Sequence, residues 1–201
     1  MLFPTTTFAL FFALVLPLSW LTMPQARLWR PFITLASFVF YSWWDWRFVF
    51  LLAGSIVLNQ VFAMRIHQVR RPSLRKRLLI VALAANVGLL GYFKYYDFFV
   101  SSSHNLFSLV GLDVPLDVRS VVLPVGISFY TFMAISYVVD VYRGDFEPVS
   151  FGKFAAYLSF FPHLVAGPIV RPAELIPQFD APRDPRRVDT SRAFFLIAMS
   201  V

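Results

Sequence analysis

The chain has 201 residues, 58% of them hydrophobic, 18% aromatic and only 14% charged, whereas an ordinary soluble domain carries roughly 25% charged residues. Its formal charge of +7 comes from basic residues in short segments beside apolar runs, which argues against a phosphate-tracking face and so against nucleic acid as a partner. There is no cysteine, which excludes disulfides, thiolate metal sites and a thiol nucleophile within the chain.

The first apolar run begins at Leu2 with no Lys or Arg before it and no small-residue cleavage pattern before Arg27. It therefore reads as a retained helix, about Thr5 to Thr22 and kinked at Pro17, not as a cleaved signal peptide. A small basic loop with Arg27 and Arg30 follows, then an apolar stretch from Phe32 to Met64. That stretch would be about 50 Å long as one helix, against a bilayer core of roughly 30 Å. Trp43-Trp44-Asp45-Trp46-Arg47 supplies the break, since indoles and charges suit a membrane–water interface. Two helices are expected, about Pro31 to Trp43 and Arg47 to Met64.

Arg65, Arg70, Arg71, Arg75, Lys76 and Arg77 lie in the next segment with no acidic residue among them. Under the positive-inside rule this run is cytoplasmic and the N-terminus lies outside; an anionic-lipid site is the alternative use for it. A helix from about Leu78 to Phe99 leads to an outer connection, in which Ser101 to Ser103 would cap a short surface helix near His104. Lys94 and Asp97, three apart, read as an interfacial pair.

Val125 to Tyr142 returns inward. At 100° per residue Gly126, Tyr130, Met133, Tyr137 and Asp140 fall within an arc of about 80°. Asp140 in an apolar helix needs a partner or a cavity, and Arg143 is the local partner expected. Ser150 would cap a helix running to about Phe161. The stretch Phe160 to Arg171 then places Pro162, His163, Gly167 and Pro168 in an apolar run. Irregular backbone survives at membrane depth only when buried in protein or lining a cavity, so a re-entrant hairpin is expected, with both ends on the cytoplasmic side. Ala193 to Val201 is too short to span and reads as a helix that is cut, so residues 1–201 are read as the front part of one membrane domain.

Leu123-Pro124-Val125-Gly126-Ile127-Ser128-Phe129-Tyr130-Thr131-Phe132, Ile135 to Gly144, and Phe161-Pro162-His163-Leu164-Val165-Ala166-Gly167-Pro168-Ile169-Val170-Arg171 resemble the membrane-bound O-acyltransferase family, in its alginate O-acetyltransferase-like branch. Phe40-Tyr41-Ser42-Trp43-Trp44 and Gly91-Tyr92-Phe93-Lys94-Tyr95 agree in the same order. The resemblance implies an all-α, polytopic membrane protein of the bacterial inner membrane, here with about five to six membrane helices plus the re-entrant segment. It implies transfer of an acyl group, usually acetyl, to hydroxyls of an exported polysaccharide such as alginate, with periplasmic acetyltransferase partner proteins. No bound cofactor is expected; the donor, acetyl-CoA or another acyl thioester, is a substrate.

The family's catalytic histidine belongs to a later motif with no counterpart in these residues, so residues 1–201 alone are expected to be inactive. Tyr130, Tyr137, Asp140, His163 and Arg171 are the candidates for lining the cavity or substrate path, and Arg171 could hold donor phosphate. The competing readings are a transporter or flippase, for which internal repeats should be visible and are not found, and a non-catalytic scaffold for polysaccharide export.

Overall fold

In the computed structural model residues 6–109, 122–166 and 170–180 are described, and they contain helices and turns but no strand. The helices are α1 (Thr6–Thr22), α2 (Ala26–Ser42), α3 (Arg47–Gln68), α4 (Pro72–Leu109), α5 (Ile127–Arg143), α6 (Phe151–Ser159), α7 (Phe161–Ala166) and α8 (Pro172–Leu175), followed by a 3-10 turn at Ile176–Phe179. The Ala193 to Val201 run, the charged segment before it and the Gly167-Pro168 bend lie outside the described residues.

The interior of the bundle is mostly apolar but carries a seam of polar residues, and its outer face is apolar as well. Helix α3 turns Ser55, Asn59 and Gln60 inward and leaves Phe50, Val57 and Val61 on the outside. Arg47–Gln68 and Pro72–Tyr96 are long and apolar enough to cross a membrane, while Thr6–Thr22 is apolar but shorter. Without a hydrophobic drive between helices in lipid, buried polar pairs act as the adhesive. Asn59 and Asn86 supply one: Asn59 Nδ2 donates to Asn86 Oδ1 at 3.1 Å and Asn86 Nδ2 returns a bond to Asn59 Oδ1 at 2.8 Å.

Several boundaries differ from the sequence expectation. Helix α2 begins at Ala26, not Pro31, so Arg27 and Arg30 are helical residues. Burial of Trp29 explains the extension, because its indole N–H donates to Ser19 Oγ at 2.9 Å and its ring lies 5.3 Å from that of Phe179. The basic run is a three-residue turn flanked by helix, since α3 continues to Gln68 and α4 starts at Pro72. Arg75 organises that turn: it donates to the carbonyls of Ile66 at 3.1 Å and Tyr142 at 2.8 Å, satisfying the C-terminal ends of α3 and α5. Helix α4 runs unbroken through Ser101 to Ser103 to Leu109, so no separate capped helix forms there. With no Gly or Pro between Tyr92 and Val110, propagation is cheaper than a new start.

At the opposite end, Asp45 accepts from Arg47 Nη2 at 2.9 Å, and the guanidinium holds its carboxyl below the ordinary carboxylate range. Helix α5 is the centre of the core, with Tyr130, Tyr137 and Val138 fully buried. It is bracketed by Gly126 (φ 76°) and Gly144 (φ 82°), both in the left-handed region that a side chain disfavours. Ser150 precedes α6, but its side chain makes no capping bond. The helix stops at Ser159 and restarts at Phe161, which puts Pro162 in a first turn, where its missing N–H costs nothing.

Replacing Asn86 by Leu leaves Asn59 Oδ1 without its donor in the core, while Asn59 Nδ2 keeps its bond to the Ser55 carbonyl. The expected loss is roughly 1–2 kcal/mol, measured as a lower unfolding temperature in detergent, and Asn59→Leu/Asn86→Leu together should cost less than the sum of the singles.

Candidate functional site

One face of α2 receives the beginnings of both motif segments. Ser37 and Tyr41 are one turn apart on it. The Tyr41 hydroxyl donates to the Val125 carbonyl at 2.8 Å, and the Phe161 backbone N–H donates to Ser37 Oγ at 3.1 Å, while that hydroxyl donates to the Ile33 carbonyl at 2.7 Å. Phe161 is also clamped between Phe11 and Phe40, each ring 5.4 Å away. These contacts bring Gly126 against α7. A Cβ at residue 126 would fall on the Leu164 carbonyl oxygen and within 3.3 Å of its carbon, so the approach requires glycine twice over, for its φ and for its missing side chain.

Around this junction the interior holds polar atoms without partners. The Tyr130 hydroxyl, Thr131 Oγ1 and His163 Nδ1 are buried and make no hydrogen bond among the described residues. Tyr130 is fully buried, with its hydroxyl beside that of Tyr41 but without a bond of normal geometry. Unsatisfied buried groups are costly and call for an explanation such as a bound ligand or water. His163 immediately precedes Leu164, whose carbonyl makes the contact, and its ring lies 5.4 Å from that of Phe160.

Tyr137 has different employment. Its hydroxyl donates to Gln60 Oε1 at 3.1 Å and accepts the Val149 N–H at 3.2 Å, while Gln60 Nε2 donates to the Val149 carbonyl at 2.5 Å. Its ring stacks on Phe154 at 4.2 Å. Both hydrogen-bonding capacities of the hydroxyl are therefore spent on pinning the chain before α6. Gln60 was missed from the sequence, because two adjacent amides, Asn59 and Gln60, in an apolar run give no periodic signal.

Asp140 is half-buried, and the pair expected with Arg143 does not form: Arg143 Nε lies 3.3 Å from Asp145 Oδ2 instead. Gly144 turns the chain back so that the Asp145 and Phe146 N–H groups bond the Asp140 carbonyl, and this swings Asp145 to the arginine. Arg171 is exposed and precedes α8. Beside it the Val170 carbonyl accepts from the Tyr157 hydroxyl at 2.7 Å.

The start of α6 and the residue after the 3-10 turn lie side by side. Lys153, in the first turn of α6, bonds Asp180 Oδ2 at 2.6 Å, and Arg30 pairs with Oδ1 of the same carboxylate. Of the five candidates, Tyr130 and His163 belong to the junction of α2, α5 and α7, whereas Tyr137, Asp140 and Arg171 lie away from it towards the end where Lys153 meets Asp180. Among the described residues no group of three or more His, Asp or Glu could hold a metal ion.

Comparison with known proteins gives a consistent set of relatives. The chain is 42% identical over 151 residues to the probable alginate O-acetylase AlgI of Pseudomonas aeruginosa, covering 74% of this chain and 29% of that protein. It is 37% identical over 183 residues to the AlgI of Pseudomonas putida, covering 90% and 37%, and 35% identical over 178 residues to a peptidoglycan O-acetyltransferase of Helicobacter pylori, covering 76% and 32%. The chain thus spans about a third of the length of these curated relatives. No protein-family model matches it, and no solved structure gives a significant match.

Gly126→Ala should disrupt the junction, since the strained φ alone costs on the order of 1–2 kcal/mol and the carbonyl must also move. Gly144→Ala faces open space and bears only the strain, so its unfolding temperature should fall less. Equal falls would show that the α5–α7 approach is not tight.

Proposed function

We propose that this chain, a homologue of the alginate O-acetylases whose motifs resemble the membrane-bound O-acyltransferases, forms part of a membrane enzyme that O-acetylates an exported polysaccharide. What supports the reading is one observation above all: the two stretches that carry most of the resemblance meet at Gly126 and Leu164, around buried polar atoms that have no partner among the described residues. A packing core would have no use for them. A reaction cavity would.

In this reading α3 and α4 cross the bacterial inner membrane, with the turn at Arg70 and Arg71 in the cytoplasm. The α6–α7 segment is re-entrant, and its two ends, joined by Lys153 and Asp180, lie on the cytoplasmic side where an acyl thioester arrives. Tyr130 and His163 line the inner part of the path, donating or accepting hydrogen bonds to the acyl group or to ordered water. Arg171 stands at the mouth, where its exposed guanidinium meets the donor's phosphate. Tyr137 keeps the loop before α6 in register and does not touch substrate. The histidine that the resemblance makes catalytic follows the Phe161–Arg171 motif in family order, on a helix of the full-length protein. Periplasmic partner proteins complete delivery to the glycan.

Mass spectrometry of the exported polysaccharide tests this. A deletion strain should export polymer without acetyl groups; lost export with normal acetylation of what remains would favour a transporter. In the complemented strain, His163→Gln should keep acetylation within about one order of magnitude, whereas general acid–base removal costs about 10²–10⁴-fold. A loss on that larger scale would make His163 itself catalytic. Arg171→Gln should raise the donor KM and leave kcat nearly unchanged.

A further inference from the structure

Arg30 and Lys153 reach one carboxylate from two different helices, and beside them a groove of about 330 Å³ opens between α2 and α6. Arg30 stands at the rim of this groove, while Leu35 and Phe38 of α2 and Phe151, Gly152 and Ala155 of α6 form its walls. Leu35 is 64% and Phe151 53% exposed, so the groove opens sideways to the surroundings of the bundle. Among the described residues Asp180 is the one acid paired with these two cations, which leaves an excess positive charge at the mouth of the groove. Both basic side chains retain access, 21% for Arg30 and 26% for Lys153.

We propose that this is a binding site for an anionic phospholipid, with one acyl chain along the groove and the phosphate between Arg30 and Lys153. The chemistry is that of an amphiphile: an apolar slot open to the bilayer, continuous with a pair of donors suited to phosphate oxygens. Asp180 is a tethered competitor, a carboxylate that occupies the two cations when no lipid phosphate does. Zwitterionic headgroups bring their own ammonium and gain less from the excess positive charge. The proposal rests on the membrane placement of the helices and not on acyl transfer.

Gly152 offers a clean probe, because a Cβ there meets nothing within 4 Å; a large side chain fills the groove without disturbing the helix behind it. The full chain, purified in detergent, is mixed with phosphatidylglycerol, phosphatidylcholine or inorganic phosphate, and retained adducts are counted by native mass spectrometry. Phosphatidylglycerol should be retained as a single adduct and in preference to phosphatidylcholine. Gly152→Trp and Lys153→Gln should each weaken retention on the order of tenfold, the scale of one lost charge-assisted contact. Asp180→Asn, which removes the competitor, should strengthen it. Equal retention of both lipids, indifference to Gly152→Trp, or weaker retention in Asp180→Asn would overturn the proposal, and binding of inorganic phosphate with equal affinity would reduce the site to an anion pair without a lipid. Recovery of the chain in the aqueous phase after detergent phase separation would instead overturn the membrane reading.

Discussion

The Leu164 carbonyl oxygen occupies the space that a side chain at residue 126 would need, and the arrangement of α2, α5 and α7 depends on that space being free. Gly126 supplies a left-handed turn and a bare surface at once. The turn points the Val125 carbonyl at the Tyr41 hydroxyl, and the bare surface admits the backbone of α7. With those two ends fixed, Ser37 can receive the Phe161 N–H and the rings of Phe11 and Phe40 can close on Phe161. A larger residue would push α7 away and leave that N–H unpaired in an apolar interior, a loss comparable to a buried hydrogen bond.

The remaining adhesive follows the same rule that buried polarity holds apolar helices together. Asn59 with Asn86, Gln60 with Tyr137 and Val149, and Arg75 with two helix ends each join elements far apart in sequence. Each is a polar group facing inward among apolar core residues, on a bundle whose outer face is apolar too. In water this would be an unstable pattern; in lipid it is the economical one, because apolar contact between helices gains little over contact with acyl chains. The chain's return at Asp180 obeys it too, with the charges kept at the end of the bundle and out of its middle.

Polar groups in the interior fall into two sets. Those of Tyr137, Gln60, Ser37 and Tyr41 are saturated and hold the architecture; those of Tyr130, Thr131 and His163 are not. The division separates two candidates, Tyr130 and Tyr137, that share one face of α5 and looked alike in the sequence. It also explains why a shared helix face does not define a site: what matters is whether a neighbour from another helix has already taken the hydroxyl.

The sequence by itself determined the helical class, the break at Trp43–Arg47 and the motifs that lead to the acetylase relatives, but it counted Gly126 as a helical residue, whereas that glycine is the left-handed turn before α5. The first three are local properties: composition, apolar run length and short residue motifs. The sequence also determined that the helix before Pro162 must be interrupted, because proline cannot continue it, and α6 does stop at Ser159. Only the tertiary structure decided that α2 starts at Ala26, since Ser19 and Phe179 are what make burial of Trp29 worthwhile. The same holds for Arg143, whose partner became Asp145 once Gly144 turned the chain, and for Asn59, Gln60, Asn86 and Arg75, whose partners lie on other helices. A hydrogen bond between distant residues leaves no periodic trace along the chain, because its geometry exists only after the helices have packed.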